Sequence, residues 1–473
     1  RYTYAEFDAA VNRAARMLSA HDIKKGDAVS LLMPNGVEYI IAYFACFKLG
    51  ALAGPVNSLL KSEELTYVIA NSEARALLVN SEFQPRVESI RSDLPDLHHI
   101  IVFDDEAEAT AQFTKGELSS PSLDKMDEAI IIYTSGTTGK PKGCLLTHGN
   151  IIANARQITE WLDFTERDCL LTVMPLFHMN AVSVTTKTPL YAGASTVIGP
   201  KFSASRFWQI ISDYEVTSFG SVATMLSMLL HHYPDGVPAN LKTDQLRFAM
   251  CGSAPVPAEV MKKFEETFNC LVIEGYGLSE STCRSSFNPP NERRRPGSCG
   301  MAIGNEMKVF DDEDREVPNG ELGEIVLRGE NILKGYYKNP EATAQAFRNG
   351  WFHTGDIGYK DADGFFYIVD RKSDMIIRGG ENIYPREIDE VLYQHAAVST
   401  AATIGVADTL YGEEVAAFVV LKEGAQVTEE EIIAFCREHL ADYKCPKSVR
   451  FIKDIPKGPT GKLLKRELAR LIR

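Results

Sequence analysis

The 473-residue sequence has no closely spaced pair of cysteines, which argues against a disulfide framework and against a zinc site. Its nine cysteines are odd in number and scattered, at positions 46, 144, 169, 251, 270, 283, 299, 436 and 445. Free thiols of this kind are typical of a reducing compartment. We therefore expect a cytoplasmic protein.

Long apolar runs are also absent. The longest run, YIIAYFACF at 39–47, is far shorter than the roughly 20 residues that a membrane-spanning helix needs. No signal peptide is visible. The chain starts at Arg1 and leads at once into a capping-box pattern, Thr3 with Glu6, so we expect that part of the native N-terminus is missing.

An excess of positive charge is lacking as well. The net charge of −14 argues against nucleic acid or an anionic membrane as the main partner, and the RRR cluster at 293–295 is too local to reverse this. The charged fraction of 24% and the hydrophobic fraction of 45% are ordinary for a globular protein. A chain this long exceeds the roughly 250–300 residues at which a single core stops growing, so at least two domains are expected.

The order of patterns predicts an α/β fold plus an α+β fold. Amphipathic helical stretches alternate with short Val/Ile/Leu runs before residue 370, which is typical of stacked parallel α/β sheets. From about 305 the strands become short and closely spaced, as in an antiparallel meander or a small β-barrel-like part. We assign 1–371 to a large N-terminal domain and 372–473 to a small, mobile C-terminal α+β domain. The short joint DRKSD between them is expected to act as a hinge.

The most informative segment is YTSGTTGKPKG at 133–143, which holds four small hydroxyl side chains, three glycines and two lysines. Glycines let backbone N–H groups approach an anion, hydroxyls add donors, and lysines add opposite charge. An apolar β-rich run ends at Thr134 and a helical pattern follows the loop, so we expect the loop between a strand and a helix. It is not a Walker A loop, because Gly136 and Gly139 are too close together. The composition predicts a phosphate site.

A second polar turn, EGYGLSEST at 274–282, follows the apolar run LVI and so is expected at a strand end, where ligands of α/β sheets bind. Tyr276 is suited to stacking on a base, Ser279 to donating to a phosphate, and Glu280 to holding Mg²⁺. Taken alone, such a turn is more often structural.

Three further features have both a structural and a functional interpretation. Asp356 in WFHTGDIG and Arg371 in FFYIVDR suit a ribose clamp, although a turn aspartate and a surface arginine are common without function. His178 in PLFHMN is, on its own, best explained as a core side chain. Lys462 lies in a second Gly/Pro/Thr/Lys loop, PKGPTGKLLK at 456–465, where the alternative is a solvated lysine.

These features occur together, and the chain resembles the adenylate-forming superfamily of acyl-CoA synthetases, peptide-synthetase adenylation domains and firefly luciferase. The resemblance spans nearly the whole chain, and within the superfamily the chain is most similar to acyl-CoA ligases of the crotonobetaine/carnitine, 4-coumarate and medium-chain types. The segments that resemble the family's motifs are YTSGTTGKPKG, PLFHMN, YGLSE, GELGEIVLRG, WFHTGD, DRKSDMIIRGGENIYPREIDE and PTGK.

The resemblance implies a two-step reaction that uses ATP, Mg²⁺ and coenzyme A. A carboxylate attacks the α-phosphorus of ATP to give acyl-AMP and pyrophosphate, and the CoA thiolate then displaces AMP. Lys462 is implied to act on the carboxylate and α-phosphate, and Glu280 to bind the metal. The residues implied to bind ATP and AMP are Thr134, Ser135, Gly136, Thr137, Thr138, Gly139, Lys140, Lys142, Gly252, Ser253, Ala254, Glu274, Tyr276, Gly277, Ser279, Asp356, Ile368 and Arg371.

The same resemblance assigns an acyl pocket to His178, Val222, Leu278, Cys283 and Arg284. Arg284 is unusual at its position, and either a charged acyl group or an ion pair at the pocket rim would explain it. Gly379 and Gly380 are implied to reach the CoA tunnel in the second step. Many relatives carry Asp or Lys at the hinge position occupied here by Ser373.

Other readings stay open. An adenylation enzyme that loads another acceptor is the nearest alternative, although LFHMNAVSV contains no aspartate for a substrate amine. A luciferase-like oxidation and a non-catalytic nucleotide-binding scaffold are the others. The acid itself is undetermined among short polar, carnitine-like, medium-chain and aromatic acids. The oligomeric state is also undetermined, and a homodimer is left open.

Overall fold

The computed structural model describes residues 1–116, 118, 121–134, 140–252, 256–457 and 463–471. Its strands are β1 (Ala28–Leu32), β2 (Leu52–Pro55), β3 (Ala74–Val79), β4 (His99–Val102), β5 (Glu128–Thr134), β6 (Lys142–Thr147), β7 (Cys169–Thr172), β8 (Ser195–Ile198), β9 (Ser218–Ser221), β10 (Phe248–Cys251), β11 (Leu271–Tyr276), β12 (Ser286–Phe287), β13 (Met301–Ala302), β14 (Glu306–Phe310), β15 (Gly323–Arg328), β16 (Gly335–Tyr336), β17 (Phe347–Arg348), β18 (Trp351–Lys360), β19 (Phe366–Arg371), β20 (Ile376–Arg378), β21 (Glu381–Ile383), β22 (Val398–Asp408), β23 (Gly412–Leu421) and β24 (Ser448–Phe451).

The α-helices are α1 (Tyr4–Ala20), α2 (Val37–Leu49), α3 (Ser62–Asn71), α4 (Gln84–Glu88), α5 (Glu106–Ala109), α6 (His148–Leu162), α7 (Thr188–Tyr191), α8 (Ala204–Asp213), α9 (Ala223–His232), α10 (Ala258–Phe268), α11 (Pro340–Ala346), α12 (Pro385–Gln394), α13 (Glu429–His439) and α14 (Lys465–Ala469). A π-helix spans Asn180–Lys187, and a 3₁₀ turn spans Ser279–Ser281. Helix α1 begins with the capping box expected from Thr3 and Glu6. Within the described part of the chain, no helix is long and apolar enough to cross a membrane.

Two seven-stranded sheets form the α/β part. The first has the order β16-β6-β5-β2-β1-β3-β4 and the second the order β13-β12-β11-β10-β9-β7-β8. Their central strands pair in parallel, and each sheet ends in antiparallel strands at one edge. Strands such as β1 and β10 are buried along their whole length, because helices cover both faces of a parallel sheet. This confirms the predicted stacked α/β architecture.

The region from 305 forms an antiparallel sheet of five strands, in which β14, β15, β18 and β17 follow one another and β19 pairs with β18. The predicted meander is therefore present. Among the described residues these strands form an open sheet, and no closed barrel exists. The expected barrel-like shape is wrong, since each edge strand has a neighbour on one side only.

A fourth sheet, built from β20 to β24, lies in the small C-terminal domain. Its apolar residues form clusters of their own, separate from the large cluster that links the two α/β sheets. Helix α12 joins this domain to the large one, because the Arg386 backbone N–H donates to Asp370 at 2.9 Å and its guanidinium donates to the Ile368 carbonyl. The contact lies directly beside the end of β19.

Candidate active site

The Asp356 carboxylate is held between two partners that come from different strands. The Tyr276 hydroxyl, at the end of β11, donates to Asp356 at 2.6 Å, and the Arg371 guanidinium forms an ion pair with it at 3.1 Å. Asp356 and Arg371 face each other across the antiparallel pair β18 and β19. Burial and the neighbouring Asp356 charge raise the pKa of Tyr276 well above its usual value, so its hydroxyl keeps its proton. The structure thus brings together three residues that the sequence assigned to adenosine binding.

Glu280 follows on the same turn, in the 3₁₀ segment after β11. Its carboxylate accepts a hydrogen bond from the Tyr336 hydroxyl at 3.1 Å. The Lys142 ammonium lies 5.2 Å from the centre of the same tyrosine ring. Arg371 also lies within electrostatic range of Glu280. The residues expected to bind adenosine and the expected metal ligand therefore lie close together.

Tyr336 is a site residue that sequence reasoning missed. It reaches Glu280 because β16 adds antiparallel to β6, with Tyr336 opposite Cys144. Burial and the Glu280 charge raise the pKa of its hydroxyl, so it remains a hydrogen-bond donor. No spacing signal links positions 280 and 336, because only the sheet brings them together.

The expected phosphate loop is followed in the chain by a strand, where the sequence pattern predicted a helix. Strands β5 and β6 form an antiparallel pair in which Thr134 lies opposite Lys142, so the loop connects two strands. The expected direct passage from loop to helix is wrong, because KGCLLT pairs as a strand before α6 begins at His148. The Lys140 ammonium lies 5.2 Å from the centre of the Tyr67 ring.

Several predicted residues lie outside the described part of the chain: Ser135, Gly136, Thr137, Thr138, Gly139, Ser253, Ala254 and Lys462. Their assigned roles rest on the sequence alone. The flanking residues that the structure describes are Thr134 and Lys140 for the first group, Gly252 and Val256 for the second, and Lys457 and Leu463 for the third.

Two glycines fix the shape of the site. A Cβ at Gly277 would lie 1.8 Å from the Cys283 carbonyl oxygen, which means that the backbone of the following turn folds directly against it. A Cβ at Gly252 would come within 2.5 Å of both terminal nitrogens of Arg284. Gly252 follows β10 and Gly277 follows β11, so both lie at the carboxyl edge of the second sheet, where α/β proteins bind ligands.

Glu274 acts on backbone groups in the structure. Its two carboxylate oxygens accept from the Val256 N–H at 3.3 Å and the Gly297 N–H at 3.1 Å. Burial raises its pKa to about 7. Glu274 thus fixes the backbone at two points, Val256 and Gly297. Ile368 and Ser279 lie half-buried, on β19 and on the 3₁₀ turn respectively.

The expected acyl-pocket residues come from three places. Leu278, Cys283 and Arg284 belong to the turn after β11, and Val222 caps α9 directly after β9. His178 is half-buried and precedes the π-helix, whose Val182 N–H donates to the His178 carbonyl at 3.1 Å. Burial raises the pKa of the Cys283 thiol, which makes it a poor nucleophile.

The C-terminal candidates lie on three separate segments that follow β19 in the chain. Ser373 is exposed, and its hydroxyl donates to Asp374 at 3.1 Å. Gly379 and Gly380 have φ values of 59° and 92° in the turn between β20 and β21, a conformation that favours glycine. Lys457 and Leu463 pair at the base of the second lysine loop. Two residues beyond Leu463, the Lys465 ammonium forms an ion pair with buried Asp389 at 3.1 Å, which anchors this segment.

Comparison with known proteins decides the family. A family model described as AMP-binding enzyme matches residues 1–337, and one described as AMP-binding enzyme C-terminal domain matches residues 387–462. The chain belongs to the AMP-binding enzyme family.

Its relatives are CoA ligases. A sulfoacetate–CoA ligase of Cupriavidus necator is 37% identical over 96% of this chain and 89% of its own. A long-chain-fatty-acid–CoA ligase of Bacillus subtilis is 35% identical, covering 96% of this chain and 87% of its own. A crotonobetaine/carnitine–CoA ligase of Escherichia coli is 34% identical, covering 99% and 93%. The crystal structure of ATP-bound MatB from Rhodopseudomonas palustris matches with a TM-score of 0.92 and 30% identity, covering 99% of this chain and 93% of that one.

These findings confirm the resemblance to acyl-CoA ligases seen in the sequence motifs. The protein is an enzyme of the acid–thiol ligase class, and it uses ATP and CoA.

Proposed function

We propose that this protein activates a small carboxylic acid in two steps at the site around Asp356, Tyr276, Arg371 and Glu280. The observation that supports this most strongly is the position of Arg371. Its guanidinium pairs with Asp356 at 3.1 Å while it also lies within electrostatic range of Glu280. One cation thereby links a carboxylate suited to a ribose with a carboxylate suited to a metal-bound phosphate.

In the first step, ATP binds with its ribose hydroxyls on Asp356 and Arg371 and its adenine beside Tyr276. Tyr276 donates to one carboxylate oxygen of Asp356, and the other oxygen faces Arg371. The side chains of Asp356 and Arg371 are therefore held in position before ATP binds. Lys142 and the hydroxyls of the 134–139 loop bind the β- and γ-phosphates. Pre-arranged donors of this kind stabilise the charge that develops on phosphoryl oxygens in the transition state.

Mg²⁺ fits this site as a partner of the nucleotide rather than of the protein alone. Among the described residues no group of three or more His, Cys, Asp or Glu side chains is arranged to hold a metal ion. Mg²⁺ commonly uses one or two carboxylates together with substrate phosphates and water. Glu280 would hold it, with Tyr336 fixing the carboxylate through its hydroxyl. The ion would neutralise phosphate charge.

Lys462 would complete the first step by reaching the carboxylate and the α-phosphate. Its loop starts from the pairing of Lys457 with Leu463, and Lys465 lies within electrostatic range of Asp370, the neighbour of Arg371. The described residue Lys465, three positions after Lys462, thus lies near the neighbour of a residue of the ribose clamp. A compact ammonium on a flexible stem suits this role.

In the second step, the small domain 372–473 would rotate about the 371–374 joint relative to the domain 1–371. This motion would withdraw Lys462 and bring Gly379 and Gly380 to the CoA thiol. In the present arrangement the Lys372 backbone N–H donates to the Gly355 carbonyl at 2.8 Å and its ammonium pairs with Asp312 at 2.7 Å, so the rotation would break these contacts. The CoA thiolate would then attack the acyl-AMP carbonyl and release AMP.

The names of the relatives do not determine the acid. They include sulfoacetate, a long-chain fatty acid and crotonobetaine or carnitine, at 37%, 35% and 34% identity. The arginines of ERRRPG at 292–297 do not narrow the choice, because Arg294 pairs with Glu265 and Arg295 pairs with Asp361 and Asp363. Those arginines serve the fold.

A panel of carboxylic acids tests the proposal. Pyrophosphate and AMP release would be measured with each acid, with and without CoA and with and without Mg²⁺. We expect pyrophosphate release to require an acid, and AMP with acyl-CoA to appear only when CoA is present. No release with any acid would favour a nucleotide-binding scaffold, and pyrophosphate release without a CoA thioester would favour another acceptor.

A further inference from the structure

Arg284 is a deeply buried cation that has no acidic partner among the residues that the structure describes. Its exposed fraction is 2%, and it ranks with Trp208 among the largest fully buried side chains. Nη1 donates to the Gly275 carbonyl at 3.4 Å, a long hydrogen bond. Among the described residues Nε and Nη2 have no hydrogen-bond partner, and no carboxylate forms an ion pair with the guanidinium. The Phe287 ring, 5.2 Å away, is its other neighbour of note.

A buried charge in this condition is costly for the fold. Transfer of an ionised group from water into an apolar interior is strongly unfavourable unless a counter-charge and hydrogen bonds compensate for it. Arginine does not relieve the cost by losing its proton, because its pKa is too high. Such a residue therefore indicates a ligand that brings the missing anion.

The backbone around Arg284 is held firmly, so the side chain has a defined direction. The Asn154 side chain donates to the Arg284 carbonyl at 2.7 Å, and the Asn331 side chain donates to the same oxygen at 3.3 Å. The guanidinium then lies against Gly252, which directly follows β10. The same edge of the sheet carries Val222, which precedes α9, and Leu278, which precedes the 3₁₀ turn after β11. Arg284 therefore lies at the sheet edge that also carries the expected acyl-pocket residues.

Asn180 provides a second polar group at the same sheet edge. It is 3% exposed, and within the described chain neither its Oδ1 nor its Nδ2 has a hydrogen-bond partner. Its Oδ1 lies 3.3 Å from the position of a Cβ on Gly220, in β9. The side-chain hydroxyl of Ser285, next to Arg284, is also buried and without a partner among the described residues. A cation and neutral donors gathered here suit an oxyanion.

Lys187 is a second buried basic side chain in this region. It is 5% exposed and lies between the rings of Tyr43 and Phe47, at 5.2 and 5.0 Å, and no described acidic side chain pairs with it. Both Lys187 and Arg284 lie within electrostatic range of the Cys283 thiol. A second basic side chain therefore lies close to the same thiol as Arg284.

We propose that Arg284 determines substrate specificity by binding a second anionic group of the acid, a carboxylate or a sulfonate, at the end remote from the reacting carboxylate. The inference rests on the proposed ligase function and names its substrate class as short dianionic acids. The planar guanidinium matches such a group through paired hydrogen bonds. A monocarboxylate of the same length leaves Arg284 unpaired, and sites built to bind a polar group reject analogues that lack it.

The test compares dianionic acids with monoanionic acids of matching length. Oxalate, malonate, succinate and sulfoacetate form the first group, and acetate, propionate, butyrate and valerate the second. CoA-dependent AMP formation gives kcat and KM for each acid. We expect the wild type to prefer the dianions by at least about 100-fold in kcat/KM. A wild type that prefers the monoanion of a matched pair would overturn the inference.

Three variants separate recognition from structural support. Arg284→Met should reduce the dianion-to-monoanion ratio of kcat/KM by about 100-fold, mainly through the KM of the dianion, and Arg284→Lys should recover part of it. Arg315→Gln is the matched control, since Arg315 is exposed and pairs with Asp311 and Glu313. An unchanged ratio in Arg284→Met would contradict the proposal.

Stability and binding measurements keep the outcomes distinct. Thermal unfolding reports whether Arg284→Met folds. If it does not fold, the Arg284→Lys variant and the acid preference of the wild type still test the specificity proposal. Malonate should raise the melting temperature of the wild type in the presence of AMP, and this shift should shrink in Arg284→Lys. Activity with monoanions but none with dianions defeats only the specificity inference. No CoA-dependent AMP with any acid defeats the ligase proposal itself.

Discussion

The ribose clamp makes a quantitative prediction for Asp356→Asn. The substitution keeps the shape of the side chain but removes the charge that faces Tyr276 at 2.6 Å and Arg371 at 3.1 Å. Arg371 retains 35% of its side-chain exposure, so water partly replaces its lost partner. We therefore expect a loss of only about 1 kcal/mol in the free energy of unfolding.

Nucleotide binding should suffer far more than stability. A hydrogen bond to a charged group contributes about 1.5–3 kcal/mol, and each 1.4 kcal/mol changes a binding constant about tenfold. If the Asp356 carboxylate accepts from the ribose hydroxyls, its loss should raise the KM for ATP by roughly 10- to 150-fold per bond. The KM for the acid, measured at saturating ATP, should change little.

The assay is pyrophosphate release with ATP and with 2′-deoxy-ATP. The wild type should discriminate against the deoxynucleotide, and Asp356→Asn should bind both with similar weakness. Asp361→Asn is the control, because Asp361 lies in the turn after β18 and pairs with Arg295. A KM for ATP within threefold of the wild type, or undiminished discrimination, would refute the assignment of Asp356.

Two further predictions concern stability. Gly277→Ala should prevent correct folding of the site and abolish pyrophosphate release, because its Cβ would lie 1.8 Å from the Cys283 carbonyl oxygen. Gly36→Ala is the control, because its close contact, at 2.8 Å, is with the flexible end of the Glu38 side chain and the nearest backbone atom is 4.0 Å away. A fully active Gly277→Ala would contradict this geometry. For Lys187, burial lowers the pKa from 10.5 to about 7, so between these pH values the unfolded chain holds a proton that the folded protein lacks. The free energy of unfolding should therefore rise with pH across this window, by up to about 5 kcal/mol. In urea unfolding at pH 7–10, Lys187→Met should flatten the dependence of this free energy on pH. The same dependence in Lys187→Met and the wild type would contradict the role given to Lys187.

The sequence predicted the parts of this molecule that depend on local pattern. Alternating helices and apolar runs indicate parallel sheets because such strands are buried on both faces, and the structure has them. Thr3 and Glu6 form the capping box that their spacing predicts. The pairing of Asp356 with Arg371 also follows from a local feature, since the two strands that carry them are joined by a short turn.

What the sequence could not supply depends on contacts between distant segments. Tyr336 reaches Glu280 only because β16 adds to the edge of the first sheet. The strand β6 was missed because KGCLLT has too little periodicity to separate it from the helix that follows. The sequence left two explanations for Arg284, an ion pair at the rim of the pocket and a charged substrate. Its burial and the lack of a described acidic partner, neither visible in spacing, favour the second.

The central claim, activation through acyl-AMP with Lys462 acting in the first step, is tested most directly by separating the two half-reactions in Lys462→Ala. Acyl-AMP formation from acid and ATP would be measured in one assay, and thioester formation from preformed acyl-AMP and CoA in another. We predict that Lys462→Ala abolishes the first and leaves the second largely intact. Equal loss of both half-reactions would contradict the two-step mechanism proposed here.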